Sequence, residues 1–83
     1  MIIGIKSISN QLEQVFLEYG IKDKVELRYS NLNNVDIQCN NLLRISKSTK
    51  DLNILKEQII LRLNENELVS RVEILPNNFI NIS

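Results

Sequence analysis

Ser70-Arg71-Val72-Glu73-Ile74-Leu75-Pro76-Asn77-Asn78-Phe79-Ile80-Asn81-Ile82 is the stretch whose reading decides the fold. Over residues 70–75, Val72 and Ile74 alternate with Arg71 and Glu73, the two-residue period of a strand with one apolar and one wet face. Pro76, Asn77 and Asn78 follow as consecutive turn formers, and the alternation resumes over residues 79–82. Two short alternating runs around such a turn predict an antiparallel hairpin. Its second arm is two-faced: Ile80 and Ile82 belong to the buried side, and Phe79 and Asn81 project together on the other, toward solvent.

Working outward, Leu12, Val15, Phe16 and Tyr19 recur at helical spacing, which predicts an amphipathic helix beginning at Ser9 or Asn10 and stopped by Gly20. Over residues 24–30, Val25, Leu27 and Tyr29 alternate with Glu26, Arg28 and Ser30 and read as a strand. Asn31 to Asn34 reads as a turn or loop. A second helix is expected over residues 38–47, burying Cys39, Leu42, Leu43 and Ile45 and leaving Arg44 and Lys47 in water. Ser48, with Asp51 three residues on, caps a third helix whose stripe is Leu52, Leu55, Ile59 and Leu63, closed by Asn64 or Asn66. The order predicts an α+β fold, a small mostly antiparallel sheet with about three helices packed on it.

The 83 residues suffice for one small core, so residues 1–83 are expected to form a single domain. Aliphatic Ile and Leu must supply that core, because there are only two Phe, two Tyr and no Trp. Ten basic and ten acidic side chains cancel, which removes the positive field of a nonspecific nucleic-acid binder; any RNA contact has to be local and weak on its own. The lone Cys39 and the absence of histidine exclude an internal disulfide, a Cys/His zinc set and a histidine base, and fit a reducing cytoplasm. Met1-Ile2-Ile3-Gly4-Ile5 is broken by Lys6 and no stretch reaches membrane-spanning length, so neither export nor anchoring is expected.

Catalytic templates fail. Two glycines cannot build a phosphate loop, and no nucleophile has a base partner. Ile45-Ser46-Lys47-Ser48-Thr49-Lys50 looks superficially like a class I synthetase ATP loop, but it lacks the histidine signature and nucleotide fold that such a loop serves, and it reads as a helix end followed by a helix start. Glu65 and Glu67 read as solvated charges, and Cys39 as a small core residue. Neither a catalytic residue nor a metal ligand is assigned. Phe79 and Asn81 are more informative. A ring beside a carboxamide can stack on an unpaired base and bond its edge; against this stands the reading in which Phe79 packs under a helix or another domain and Asn81 satisfies backbone groups at the strand end. Arg44, Lys47 and Lys50 cluster outside the expected core, as phosphate contacts or as an ordinary solvated face.

Val72-Glu73-Ile74, a four-residue turn, and Phe79-Ile80-Asn81-Ile82 resemble the end of the N-terminal additional domain of arginyl-tRNA synthetases. Asp36-Ile37-Gln38-Cys39-Asn40 resembles that family's Gly-Asp-aromatic-Gln-x-Asn segment, so the resemblance covers about Val25 to Ser83. Val35 stands in place of the Gly, Ile37 in place of the aromatic residue, and Leu75-Pro76-Asn77-Asn78 in place of a turn containing Gly and Pro. The resemblance implies a domain that docks on the outer corner of tRNA-Arg and reads its D-loop, with Phe79 and Asn81 at the positions that stack on and bond a base. It also implies a chain that stops where a linker would lead into a class I catalytic domain, its intramolecular partner. The 83 residues would then be no enzyme and need no cofactor, while ATP with Mg would serve arginine activation in the full synthetase. Neither membrane nor DNA is an expected partner. A protein-interaction or scaffolding domain of the same fold with no RNA role is the alternative.

Overall fold

The computed structural model describes residues 4–30, 35–47 and 49–83. The C-terminal hairpin is present: β3 (Val72–Ile74) and β4 (Ile80–Ile82) pair antiparallel, with Ile74 opposite Ile80, Glu73 opposite Asn81 and Val72 opposite Ile82. Chain reversal follows from the turn chemistry. The Leu75 amide donates to the Phe79 carbonyl at 2.8 Å and the Asn78 amide to the Leu75 carbonyl at 2.8 Å, enclosing Pro76, Asn77 and Asn78. Pro76 sits where a fixed φ helps the bend, and Asn78 takes the left-handed position at φ 69°. Its side-chain Oδ1 is buried without a hydrogen-bond partner among the described residues. Asn78→Gly therefore removes both a left-handed side chain and an unpaired acceptor, and a gain of about 1 kcal/mol in urea unfolding is expected, whereas Asn78→Ala should lose about 1. A Gly variant less stable than the wild type would refute this account of the turn.

The sheet has four strands in the order β1-β2-β4-β3, with β1 at Leu27–Tyr29 and β2 at Ile37–Cys39. All three pairings are antiparallel, and β2 meets β4 through Ile37 opposite Ile82, Gln38 opposite Asn81 and Cys39 opposite Ile80. This corrects the helix expected over residues 38–47. Ile37-Gln38-Cys39 is a central strand, and the helix that follows, α2, is only Asn41–Ile45. Cys39, Leu42 and Ile45 are buried as expected, but Leu43 is exposed. The expected turn at Asn31 to Asn34 and the cap at Ser48 lie outside the described residues.

The first helix, α1, spans Ile5–Glu18, so it starts earlier than Ser9 or Asn10. Ile5 and Ile8 extend the apolar stripe one turn backward, and the chain enters through Gly4 at φ 94°. At its other end Gly20, at φ 75°, closes the helix as expected. The Ile21 amide reaches the Phe16 carbonyl and the Gly20 amide the Leu17 carbonyl, the paired reach-back bonds of a Schellman cap. The last helix, α3, spans Leu52–Asn64, with Asp51 at the cap position but making no side-chain cap bond. Ile8, Leu12, Val15 and Phe16 of α1 and Leu55, Ile59 and Leu63 of α3 form one core with Ile37, Cys39, Ile80 and Ile82 of the two central strands. Helices and isoleucines thus fill one side of the sheet, which commits the other side to whatever the alternate positions carry. Among the described residues no helix is long and apolar enough to cross a membrane.

On the outer surface α1 and α3 are linked by Arg62, whose guanidinium donates to both Glu18 oxygens at 2.9 and 2.6 Å. The bond from Arg62 holds the Glu18 carboxyl below its ordinary value. A carboxylate with a lowered folded value stabilises fully above the unfolded value and loses that contribution as pH falls through the folded one. Both groups lie at the surface, so the effect is small and screened by salt. Melting curves taken from neutral into acid pH should show a shallower acid decline for Glu18→Gln than for the wild type. Parallel declines would remove this pair from the acid response.

Candidate functional site

The strand register fixes what the helix-free face of the sheet displays. Arg28, Gln38, Asn81 and Glu73 form one row across β1, β2, β4 and β3. Alternation places Phe79 and Ser83 on the same face of the last segment as Asn81, and Arg71 on the same face as Glu73. Arg28, Glu73 and Arg71 are exposed, and Arg71 donates to Glu73 at 3.3 Å. The face is therefore polar, of mixed sign, and holds one ring at its end.

Ile80 and Ile82 are fully buried, and Phe79 and Asn81 point the other way. Phe79 is half-buried and is not among the apolar side chains packed against the core. Asn81 departs from the expectation of a solvent-facing amide: only 6% of it is exposed. A short side chain in the middle of a central strand lies between the longer Gln38 and Glu73 on the flanking strands. Its Oδ1 is occupied, accepting from Gln38 Nε2 at 2.8 Å, while its Nδ2 makes no hydrogen bond among the described residues. Asn78 Oδ1 is the sole sealed and unpaired side-chain polar atom among those residues, so Asn81 Nδ2 retains contact with solvent. Gln38 is thus a member of the site that assigning residues 38–47 to a helix had concealed. The alternation Ile37-Gln38-Cys39 was the available signal.

The three basic candidates do not form one patch with the ring. Arg44 is exposed near the end of α2 and faces Asp23 at 3.4 Å and Glu26 at 3.9 Å. Glu26 immediately precedes β1, on the side of Leu27 that corresponds, through Cys39 and Ile80, to the Phe79 end of β4. The Arg44 guanidinium therefore lies by the β1 edge at the ring's end of the sheet, and β1 itself is about two strand spacings, roughly 10 Å, from β4. Lys47 is exposed beyond α2, and Lys50 borders an open hollow with Asp51, Leu52, Asn53 and Ile54 at the start of α3.

Cys39 is fully buried, its thiol donates to Asn41 Oδ1 at 3.2 Å, and burial pushes that thiol above its ordinary value, the condition of an inert core cysteine. Asn41, also fully buried, accepts from the Glu26 amide at 2.9 Å and donates to the Lys24 carbonyl at 2.8 Å. It ties the entry of β1 to the start of α2 and so holds the sheet edge beside Gln38. Glu65 and Glu67 are exposed at and after the end of α3.

No curated protein and no solved structure matches the chain. A family model described as the arginyl tRNA synthetase N terminal domain does, over residues 4–83. That match takes in every element of the sheet and all three helices, including Gln38, Phe79 and Asn81. The chain belongs to the arginyl tRNA synthetase N terminal domain family.

Proposed function

We propose that this domain recognises tRNA-Arg by gripping an unpaired D-loop base at the outer corner of the tRNA, with Phe79 as the stacking platform and Asn81 as the hydrogen-bonding group. The observation that carries the reading is Phe79, a ring outside the core on the face of the sheet that the helices leave open, two residues from an amide with a free donor. Bases splayed out of a loop are read by stacking plus edge bonds, which a neutral surface can supply. Arg28, Glu73 and Arg71 set a mixed charge around the amide, so the face suits a base edge better than a run of phosphates. Arg44, near the same end of the sheet, is the favoured phosphate contact, with Lys47 and Lys50 further along the chain.

In this reading arginine activation, with ATP and Mg, takes place on a cytoplasmic synthetase's catalytic domain, and these residues contribute tRNA selection. With ten charges of each sign the domain binds weakly alone and gains avidity from tethering. The test is a titration of unmodified tRNA-Arg transcript into 15N-labelled protein. Shifts should concentrate on Arg28, Gln38, Phe79 and Asn81 and spare the outward faces of α1 and α3. Shifts confined to those helices, or none at all at millimolar RNA, would leave a protein-interaction role as the better reading.

A further inference from the structure

We propose that Gln38 is a positioning residue that fixes the sense of the Asn81 carboxamide, so that the face presents a donor and selects an unpaired base offering a hydrogen-bond acceptor. The proposal rests on the base-reading function and adds its polarity. The two amides meet through Gln38 Nε2 and Asn81 Oδ1 at 2.8 Å, which turns the Asn81 carbonyl toward Gln38 and leaves its Nδ2 in contact with solvent.

An amide can be turned over at little steric cost, so something has to hold this orientation. The row supplies it. Arg28 is paired with Gln38 on one side and Glu73 with Asn81 on the other, a cation at one end of the two amides and an anion at the other. With Gln38 donating to Asn81, each amide carbonyl lies toward the cation's side and each amino group toward the anion's. Turning Asn81 over would set its Oδ1 toward the Glu73 carboxylate and oppose two amino groups across the strands. Arg71, donating to Glu73 at 3.3 Å, moderates the negative end without reversing it. The side chain is 6% exposed and Nδ2 belongs to the part that solvent reaches, so a base arriving there meets a donor. An arriving base therefore has to bring a carbonyl oxygen or an unprotonated ring nitrogen to Asn81 while it lies on Phe79.

Gln38→Glu tests this, because a carboxylate accepts only. Asn81 must then turn its amino group to the introduced carboxylate and offer its carbonyl to the base. Transcript binding should weaken roughly 5- to 150-fold, the effect of two acceptors facing each other without a proton. Asn81→Asp, which retains the bond from Gln38 Nε2 but loses the outward donor, should weaken binding by a similar factor. A purely structural Gln38 would instead lower the melting temperature and leave folded protein binding normally. Full transcript affinity in folded Gln38→Glu would overturn the proposal. The free protein gives a readout independent of RNA: a through-hydrogen-bond coupling from Gln38 Nε2 to the Asn81 side-chain carbonyl in the wild type, replaced in Gln38→Glu by one from Asn81 Nδ2 to the introduced carboxylate. Coupling present while the transcript binds elsewhere would defeat the base-reading function and this proposal with it. Coupling absent while the transcript binds at Phe79 would defeat the positioning role alone.

Discussion

Phe79→Ala should weaken binding of a tRNA-Arg transcript by roughly 5- to 150-fold, the loss of one base stack worth about 1 to 3 kcal/mol. The ring is half-buried and stands apart from the core cluster, so its removal should cost the fold little compared with a core truncation such as Phe16→Ala, for which about 3 to 5 kcal/mol is expected. The informative comparison is with Phe79→Leu and Phe79→Tyr. Leucine retains apolar bulk but has no planar face, so stability should hold while binding falls. Tyrosine retains the plane and should bind close to the wild type. Equal binding by Leu and Phe would mean that the ring is not a stacking platform. A large loss of stability in the Ala variant would mean that Phe79 is structural after all.

What the sequence made legible follows from the range of the interactions involved. The C-terminal hairpin is local, its turn closing between Leu75 and Phe79, and its turn chemistry and alternation agree, so it could be read directly. The stripes of α1 and α3 are equally local, because Leu12, Val15 and Phe16, and Leu55, Ile59 and Leu63, repeat within one helix. The start of α1 was obscured because Ser9 and Asn10 look like caps yet occupy positions inside the helix, while Gly4 provides the actual entry.

β2 was hidden for a different reason. Cys39, Leu42 and Ile45 lie three residues apart and read as one helical stripe, and three residues of alternation at Ile37-Gln38-Cys39 are too few to compete. What makes those residues a strand is β4, with Gln38 bonded to Asn81 at a separation of 43 residues. A central strand is defined by partners on both sides, and a local pattern contains neither. Losing β2 also concealed the environment of Asn81. The alternation of residues 79–82 correctly separated Phe79 and Asn81 from the isoleucines, but without β2 nothing placed Gln38 beside the amide.

The largest polar effect on stability is expected at Asn41, which no motif singled out. Asn41→Leu is close to isosteric, yet the side chain it replaces is fully buried and engaged at both ends, by the Glu26 amide at 2.9 Å and the Lys24 carbonyl at 2.8 Å, with the Cys39 thiol as a third, weaker partner at 3.2 Å. Removing both bonds leaves a backbone donor and a backbone acceptor without partners beside the core, and each such group costs about 1 to 3 kcal/mol when water cannot replace the lost bond. These peptide groups are partly buried, so a total near the lower end, about 2 to 3 kcal/mol, is expected, against which leucine's added apolar burial is a partial offset. For a domain of this size that corresponds to a melting point lower by roughly 10 to 20 °C. The neighbouring Asn40 makes no side-chain cap bond, so Asn40→Ala should move stability by under about 0.5 kcal/mol and serves as the control. Because Asn41 fastens the approach to β1 onto the start of α2, hydrogen exchange in Asn41→Leu should rise first at Glu26 and along β1, before the β3–β4 hairpin. An unchanged melting point, or exchange rising uniformly over the whole chain, would show that the edge strand is held by its pairing with β2 and not by this buried amide.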